Sequence, residues 1–383
     1  MEEMEEIEIF IVGTGICGLA TALALHRKGI KNVVLERSES LRASGACITI
    51  RTNGWRCLDQ LGVGSDLILL KSRGREMQLS NGKIKEISLA RRAETRCMRR
   101  SDLIRILAES LPLGTIRLGC QILSVTLDPL TSYPINQLQN GSAIHAKSRF
   151  NLSLIRSQVL IGCDEANSAV AHFLELKPKI LLSLSETRGF TNYPSGHGFK
   201  MEFFQVSEDD NIMFGRLPID NKLVYWFVNQ KIKPKDPELI HKLTLESMKD
   251  FPTGSGGHDK KHFRKGSVTV AGDAMHVMDP LVAQGGSASI EDGVVLARCL
   301  AQKLHEIDNK TNSFATYIGE ALDQYVKERR MRVVWLSSLH TLIDSTPPLL
   351  VRIICTILLM LLFSDYAAHT QYDCGRLWAI YMM

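Results

Sequence analysis

Gly13, Gly15 and Gly18 fall in the run IVGTGICGLATA, between the strand-like IEIFIV and a stretch of good helix formers. In a G-x-G-x-x-G turn the first glycine permits a tight bend, the second lets backbone approach a pyrophosphate, and the third lets helix pack closely on strand. The helix opening through Gly15, Ile16, Cys17 and Gly18 offers unpaired N–H groups and a positive dipole end to phosphate oxygens. The triplet alone is a weak signal, and context strengthens it. Glu36 ends the next strand pattern, NVVLE, 23 residues after Gly13, where a carboxylate can accept both hydroxyl hydrogens of an adenosine ribose. Arg37 beside it is a further candidate contact. An acid there repels a 2′-phosphate, so the site favours the adenosine half of NAD or FAD over NADPH. Turn chemistry ending on a solvated acid is the plainer alternative.

A second constellation lies far along the chain, in VAGDAMHVMDPLVAQGGSASIEDG at 270–293. Asp273 closes a buried strand pattern, and Gly285 and Gly286 present bare backbone at the start of a helix expected from Ser287 to His305. With GCDEANS at 162–168 between them, these motifs resemble the para-hydroxybenzoate-hydroxylase-like, class A, FAD-dependent flavin monooxygenases. The likeness is to the plant salicylate-hydroxylase-like and zeaxanthin-epoxidase-like branch, from residue 7 to about 335. The resemblance implies that Asp273 binds a ribityl hydroxyl of FAD and that Pro280 shapes the turn facing the isoalloxazine. It implies too that the N–H groups around Gly285 and Gly286 stabilise the negative charge of reduced flavin. Arg100, in MRRSDLIRIL, matches the family arginine that reaches the pyrophosphate and ribityl region, with Arg99 and Arg96 as alternatives. Arg42 is either a cofactor contact or a surface charge, and Asp164 belongs to the family's Asp-Gly motif.

The implied activity is NAD(P)H- and O2-dependent hydroxylation or epoxidation of a small aromatic or isoprenoid-like substrate through a flavin C4a-hydroperoxide. The flavin carries that chemistry, so no catalytic triad is expected, and no residue is assigned a catalytic role; Pro280 and His276 are the only candidates. His276 fits a packing role better than a general base. Trp55, Trp226 and the aromatics of FKMEFF suit core or sheet packing before substrate stacking. Three departures bear on activity: Glu165 stands where the family has glycine, Ala283 opens the family's G-Q-G, and the 229–265 stretch is short, glycine-rich and basic. A flavin-binding protein with impaired or no turnover, or a membrane-associated epoxidase or reductase of lipid substrates, are the alternative functions.

The elements that must hold these residues suggest an α/β fold: a Rossmann-like, GR2-type FAD-binding domain, a mostly antiparallel β-sheet substrate domain and a helical C-terminus. The expected division is 1–75, 101–177 and 263–340 for the FAD-binding domain, with strands of the substrate domain inserted at 76–100. The antiparallel sheet takes 178–262 and an apolar helical tail 341–383. Short strands are expected in FKMEFFQV, NIMFGRL and KLVYWFVNQ, and an amphipathic helix from Phe314 to Ile343. The 383 residues suffice for a large core, and a formal charge of +5 spread along the chain does not point to nucleic acid. Nine cysteines without a C-x-x-C pair suit neither a disulfide framework nor zinc, and no metal is expected. The acidic N-terminus lacks the features of a secretory signal, which makes a cytoplasmic chain the expectation. In 349–363 the run after Arg352 would be about 16 Å long as a helix, roughly half a bilayer's hydrocarbon core. It is expected to dock on the protein, with a peripheral membrane contact and a tilted span as the alternatives. Substrate, nicotinamide preference and oligomeric state are not legible.

Overall fold

Ile9, Phe10, Ile11 and Val12 are nearly sealed from solvent, as a near-continuous apolar run must be when both faces of a parallel strand are covered. The computed structural model describes residues 6–41, 47–67, 73–80, 83–87, 96–140, 152–165, 168–176, 184–208, 212–231, 263–276, 278, 284–306, 314–344 and 370–377. Arg42, Pro280, Ala283, residues 232–262 of the shortened stretch and the apolar 349–363 segment lie outside the described residues.

The chain begins β1 (Glu6–Val12), α1 (Ile16–Arg27), β2 (Val33–Leu35), β3 (Cys47–Ile50), α2 (Thr52–Gln60), β4 (Arg73–Ser80), β5 (Lys83–Ile87) and β6 (Arg96–Arg99). It continues through α3 (Arg100–Glu109), β7 (Ile116–Arg117), β8 (Cys120–Leu127), β9 (Pro134–Asn140), β10 (Leu152–Gly162) and α4 (Ala169–Phe173). Then come β11 (Leu184–Asn192), β12 (Glu202–Glu208), β13 (Ile212–Pro218), β14 (Leu223–Lys231), β15 (Arg264–Lys265), β16 (Val268–Val270), α5 (Gly285–Glu306) and α6 (Phe314–Asp344).

Strand β1 pairs in parallel with β10 on one side and β2 on the other, and the sheet runs β15-β16-β10-β1-β2-β7. Its side chains alternate between two cores. Ile9 and Ile11 enter a cluster with α1, α2, α3, α5 and α6, whereas Phe10 and Val12 pack with β8, β9 and α4. The second sheet has the order β11-β14-β13-β12-β4-β5 and is antiparallel except where β12 lies parallel to β4. Together with the C-terminal helices these sheets give the α/β architecture expected from the sequence, with β3 and β6 as a separate antiparallel pair.

Two features place the site. Helix α1 is buried from Ile16 through Leu25, so its ICGLATALAL stretch is apolar or small all round. Helix α5 crosses it at Gly293, where a Cβ would lie 2.7 Å from the Thr21 nitrogen, so only glycine allows this approach. Helix α5 also starts two residues earlier than expected, at Gly285, because the Ala288 N–H already reaches the Gln284 carbonyl at 2.8 Å.

Candidate functional site

The three glycines of the first turn serve different ends. Gly13 has φ +99°, its N–H donates to the Leu35 carbonyl at 2.7 Å, and a Cβ would sit 2.7 Å from the Cys163 carbonyl oxygen. At Gly18 a Cβ would come within 2.0 Å of the Gly13 carbonyl oxygen, so helix and turn touch there. Gly15 is the opposite case: its φ is −69° and nothing lies within 4 Å of a Cβ built on it. The protein's own packing does not require glycine at 15, whereas a ligand resting on the backbone would. Ile16 and Cys17 follow with buried side chains, and α1 has neither a side-chain cap nor an acid in its first turn. Its positive end is therefore available to an anion.

Glu36 is buried at the end of β2, and its carboxylate is aimed from both sides. The Thr14 N–H and hydroxyl donate to Oε2 at 2.9 and 2.7 Å, and the Ser38 N–H donates to Oε1 at 2.9 Å. A cavity of about 370 Å³ opens in front, bringing together Gly13, Gly15, Glu36, Arg37, Arg100 and Asp164. Arg100, the first residue of α3, faces this cavity, while Arg99 turns to Asp220, in the turn between β13 and β14, at 3.8 Å. The side chain of Arg96 is outside the described residues.

Asp164 lies just beyond β10. Its Oδ2 accepts the Ala169 N–H at 2.9 Å, while Oδ1 is buried with no hydrogen-bond partner among the described residues. Burial pushes its carboxyl above the usual range, against the hydrogen bonds from Ser168 and Ala169. An unmet acceptor on a cavity wall suits a hydroxyl donor. Glu165 stands at φ +69°, a left-handed conformation that costs a side-chain-bearing residue about 1 kcal/mol or more. The position behaves as a glycine site occupied by glutamate. Its contact with Arg37, at 4.0 Å and well exposed, is screened by water.

The late motif meets the early one. Gly272, at φ +61°, would place a Cβ 2.8 Å from the Cys17 Cβ, so the Gly-Asp turn lies against the first turn of α1. Asp273 is exposed in the following turn, yet protein crowds it: desolvation raises its carboxyl pKa, Glu165 and Asp292 reinforce this, and His276 and Arg100 oppose it. Gly285 opens α5 with nothing within 4 Å of a Cβ, whereas at Gly286 a Cβ would meet Ile48 Cδ1 at 2.6 Å. One glycine faces open space and the other packs on β3.

His276 lies inside the protein and does not line the cavity. Its Nε2 is 2.7 Å from Asp292 Oδ2; burial alone would lower its pKa, but the Asp292 carboxylate lifts it above the ordinary histidine value. Trp226 donates to Thr191 Oγ1 at 3.0 Å and covers Gly189, and Trp55 is a core residue, so both tryptophans have structural roles. Sequence reasoning missed Thr14, which aims Glu36, and the buried charges of α5 and α6. The EDG run and the ERRMR run carry that signal, because charges at helix positions that must face a core need partners there.

The residues present fit an adenine dinucleotide: two glycines with open space before them, an unmet carboxylate oxygen, an aimed acid and a cationic wall. Comparison with known proteins agrees. The FAD binding domain family matches residues 6–238 and 240–336. The chain is 44% identical to Monooxygenase 1 of Arabidopsis thaliana, covering 98% of this chain and 100% of that protein. Their matched length of 414 exceeds this chain's 383 residues by 31, so the relative carries residues with no counterpart here. It is 32% identical to Monooxygenase 2 of the same plant, over 87% of this chain and 88% of that one. Among solved structures, a point variant of Klebsiella pneumoniae HpxO complexed with FAD superposes with a TM-score of 0.67 at 18% identity, covering 97% of this chain and 100% of that one. Pseudomonas aeruginosa PqsL, a probable FAD-dependent monooxygenase, gives 0.64 at 19% identity, over 92% and 100%.

Proposed function

The chain belongs to the FAD binding domain family and is an FAD-dependent monooxygenase, and on that premise we propose that it uses NAD(P)H and O2 to hydroxylate or epoxidise a small aromatic or isoprenoid-like molecule. Bound FAD would supply the electron transfer and the oxygen activation. The N–H groups of Gly15 to Gly18 would receive the pyrophosphate with the guanidinium of Arg100, and Glu36 would hold the adenosine ribose. Asp273 and Asp164 would accept from hydroxyl groups of the ribityl chain and its surroundings. Gly285 and the free end of α5 would face the ring, where backbone donors stabilise negative charge without a charged side chain.

The observation that carries this reading is the shared cavity. Gly13, Gly15, Glu36, Arg37, Arg100 and Asp164, spread over 152 residues of sequence, line one space, and the Gly272 turn abuts the helix that opens beside it. The substrate class rests on the second sheet. Leu217 and Tyr225 pack with Cys47 of β3, Phe203 and Phe227, and Phe190 stands 5.3 Å from Tyr225 ring to ring. An aromatic, mostly apolar face of this kind suits a planar or hydrocarbon substrate and helps exclude water.

A panel of phenols, salicylates and isoprenoids tests the reading under 18O2. The expected result is NAD(P)H oxidation stimulated by one class, with one labelled oxygen in its product. NAD(P)H oxidation indifferent to every class, with all consumed oxygen recovered as hydrogen peroxide, would overturn it.

A further inference from the structure

Two adjacent carboxylates lie inside α5: Glu291 and Asp292 are both fully buried. Asp292 gathers three donors, the Gly272 N–H at 2.7 Å, His276 Nε2 at 2.7 Å and Arg329 Nε at 2.5 Å. Glu291 faces Arg329 Nη1 at 2.7 Å and Arg332 Nη2 at 3.3 Å, and accepts from the Asn53 amide at 2.6 Å. That amide also donates to Gln284 Oε1 at 2.9 Å. Arg329, itself wholly buried on α6, donates further to the Ala288 carbonyl at 3.2 Å.

These groups bracket one loop. Gly272 precedes Asp273 and Gln284 precedes Gly285, so one end of the segment that would carry the ring-side and ribityl-side contacts is bonded to Asp292 and the other reaches the adjacent Glu291 through Asn53. Such networks add little net stability, because desolvation offsets most of the attraction, but their bonds are directional and hold one arrangement. Two carboxylates and two guanidiniums balance, which leaves the His276 ring as the odd group. Its Nδ1 is buried with no hydrogen-bond partner among the described residues, and Asp273 is the further anion acting on it.

We propose that Glu291, Asp292, Arg329 and His276 are positioning residues for the cofactor: α6, through its arginine, sets how both loop ends present Asp273 and Gly285 to FAD, and the His276 ring, bonded to Asp292 beside the Gly272 N–H, holds the Asp273 turn. The proposal rests on FAD being the resident cofactor.

Full-length Arg329→Lys, His276→Gln and His276→Ala variants test it. Lysine keeps the charge but carries its donors on a single nitrogen, so it cannot span both carboxylates and the Ala288 carbonyl as the guanidinium fork does, and glutamine can donate to Asp292 without charge. Arg329→Lys is expected to bind FAD at least tenfold more weakly. In the cofactor-free protein its amides at 272–276 and 285–288 exchange at least tenfold faster with deuterium, while those of β1 and β10 keep wild-type rates. His276→Gln is expected to keep FAD affinity within a few-fold, whereas His276→Ala, which cannot donate to Asp292, is expected to bind FAD at least tenfold more weakly. Folded Arg329→Lys and His276→Ala proteins with wild-type affinity and loop exchange would overturn the proposal.

If neither variant folds, cofactor-free wild type decides. A Gly272 amide protected as well as those of β16 supports the frame, and one exchanging a hundredfold faster overturns it. A wild type that takes up no FAD would refute the functional reading instead, and the exchange arm would still judge this one.

Discussion

Gly15 and Gly18 sit three residues apart and answer to different demands, and a pair of substitutions separates them. Gly18→Ala drives a Cβ to within 2.0 Å of backbone oxygen and is expected to cost about 3 kcal/mol of stability by overpacking. Gly15→Ala meets nothing within 4 Å at an ordinary φ of −69°, so denaturant unfolding of the cofactor-free protein stays as in wild type. FAD affinity is expected to fall at least about tenfold, because the new methyl projects into the cavity proposed to receive the cofactor. Equal unfolding midpoints for the two variants would contradict this division of labour. Glu165 is a second residue-level case. Glu165→Gly relieves the left-handed strain at φ +69° and is expected to raise stability by about 1 kcal/mol, less glycine's entropy cost, as a higher urea midpoint. It also removes a carboxylate that raises the Asp273 pKa, so FAD binding tightens. An unchanged midpoint would show that the strain is absorbed elsewhere. The glycine turn and Glu36 are legible in the sequence because spacing alone encodes a backbone task. Thr14 is not, because its hydroxyl matters only once the fold sets it 2.7 Å from Glu36.

Helices α5 and α6 show how an element carries charge into a core and what that implies for pH. For Asp292, burial raises the carboxyl pKa but His276 and Arg329 outweigh it and hold it at about 2. A folded pKa below the ordinary carboxylate value of about 3.9 gives stability that is complete above that value and is lost as pH falls through about 2. His276 has the opposite sign. Its folded pKa is raised, so its contribution is complete below the ordinary value of about 6.5 and is lost as pH rises through the folded value. Cofactor-free protein should therefore show a thermal midpoint that declines above about pH 6.5, with a shallower alkaline limb in His276→Gln. A midpoint that climbs from pH 6.5 to 8 would contradict the assignment. At this scale the strong periodic elements are readable: β12, β13, β14 and α6 lie within a few residues of their sequence expectations. The short pairs are not, because β3 and β6 have four residues each and are stabilised by partners about fifty positions away. The start of α5 escapes the sequence reading because Gly285 and Gly286 lack side chains to show periodicity, while the Gln284 carbonyl already begins the ladder.

Across the whole molecule, three sequence-distant turns come together because a parallel sheet and two crossing helices leave them no other place. Strands β1, β10 and β16 align in register, so the turns at Gly13, Asp164 and Gly272 emerge at the same carboxyl end of the sheet, and the Gly293 crossing draws α5 onto α1. That convergence is legible as a consequence of motif order, whereas the buried network beneath it is not, because which charges meet inside depends on helix packing. No helix among the described residues is long and apolar enough to cross a membrane. The central claim is that this convergence holds FAD, and a titration of cofactor-free protein with FAD, followed by flavin fluorescence and the visible spectrum, tests it most directly. Saturable binding at one FAD per chain, with a shifted and structured flavin band that Gly15→Ala weakens, is the predicted result. Flavin fluorescence and spectrum unchanged by a molar excess of folded protein would contradict it.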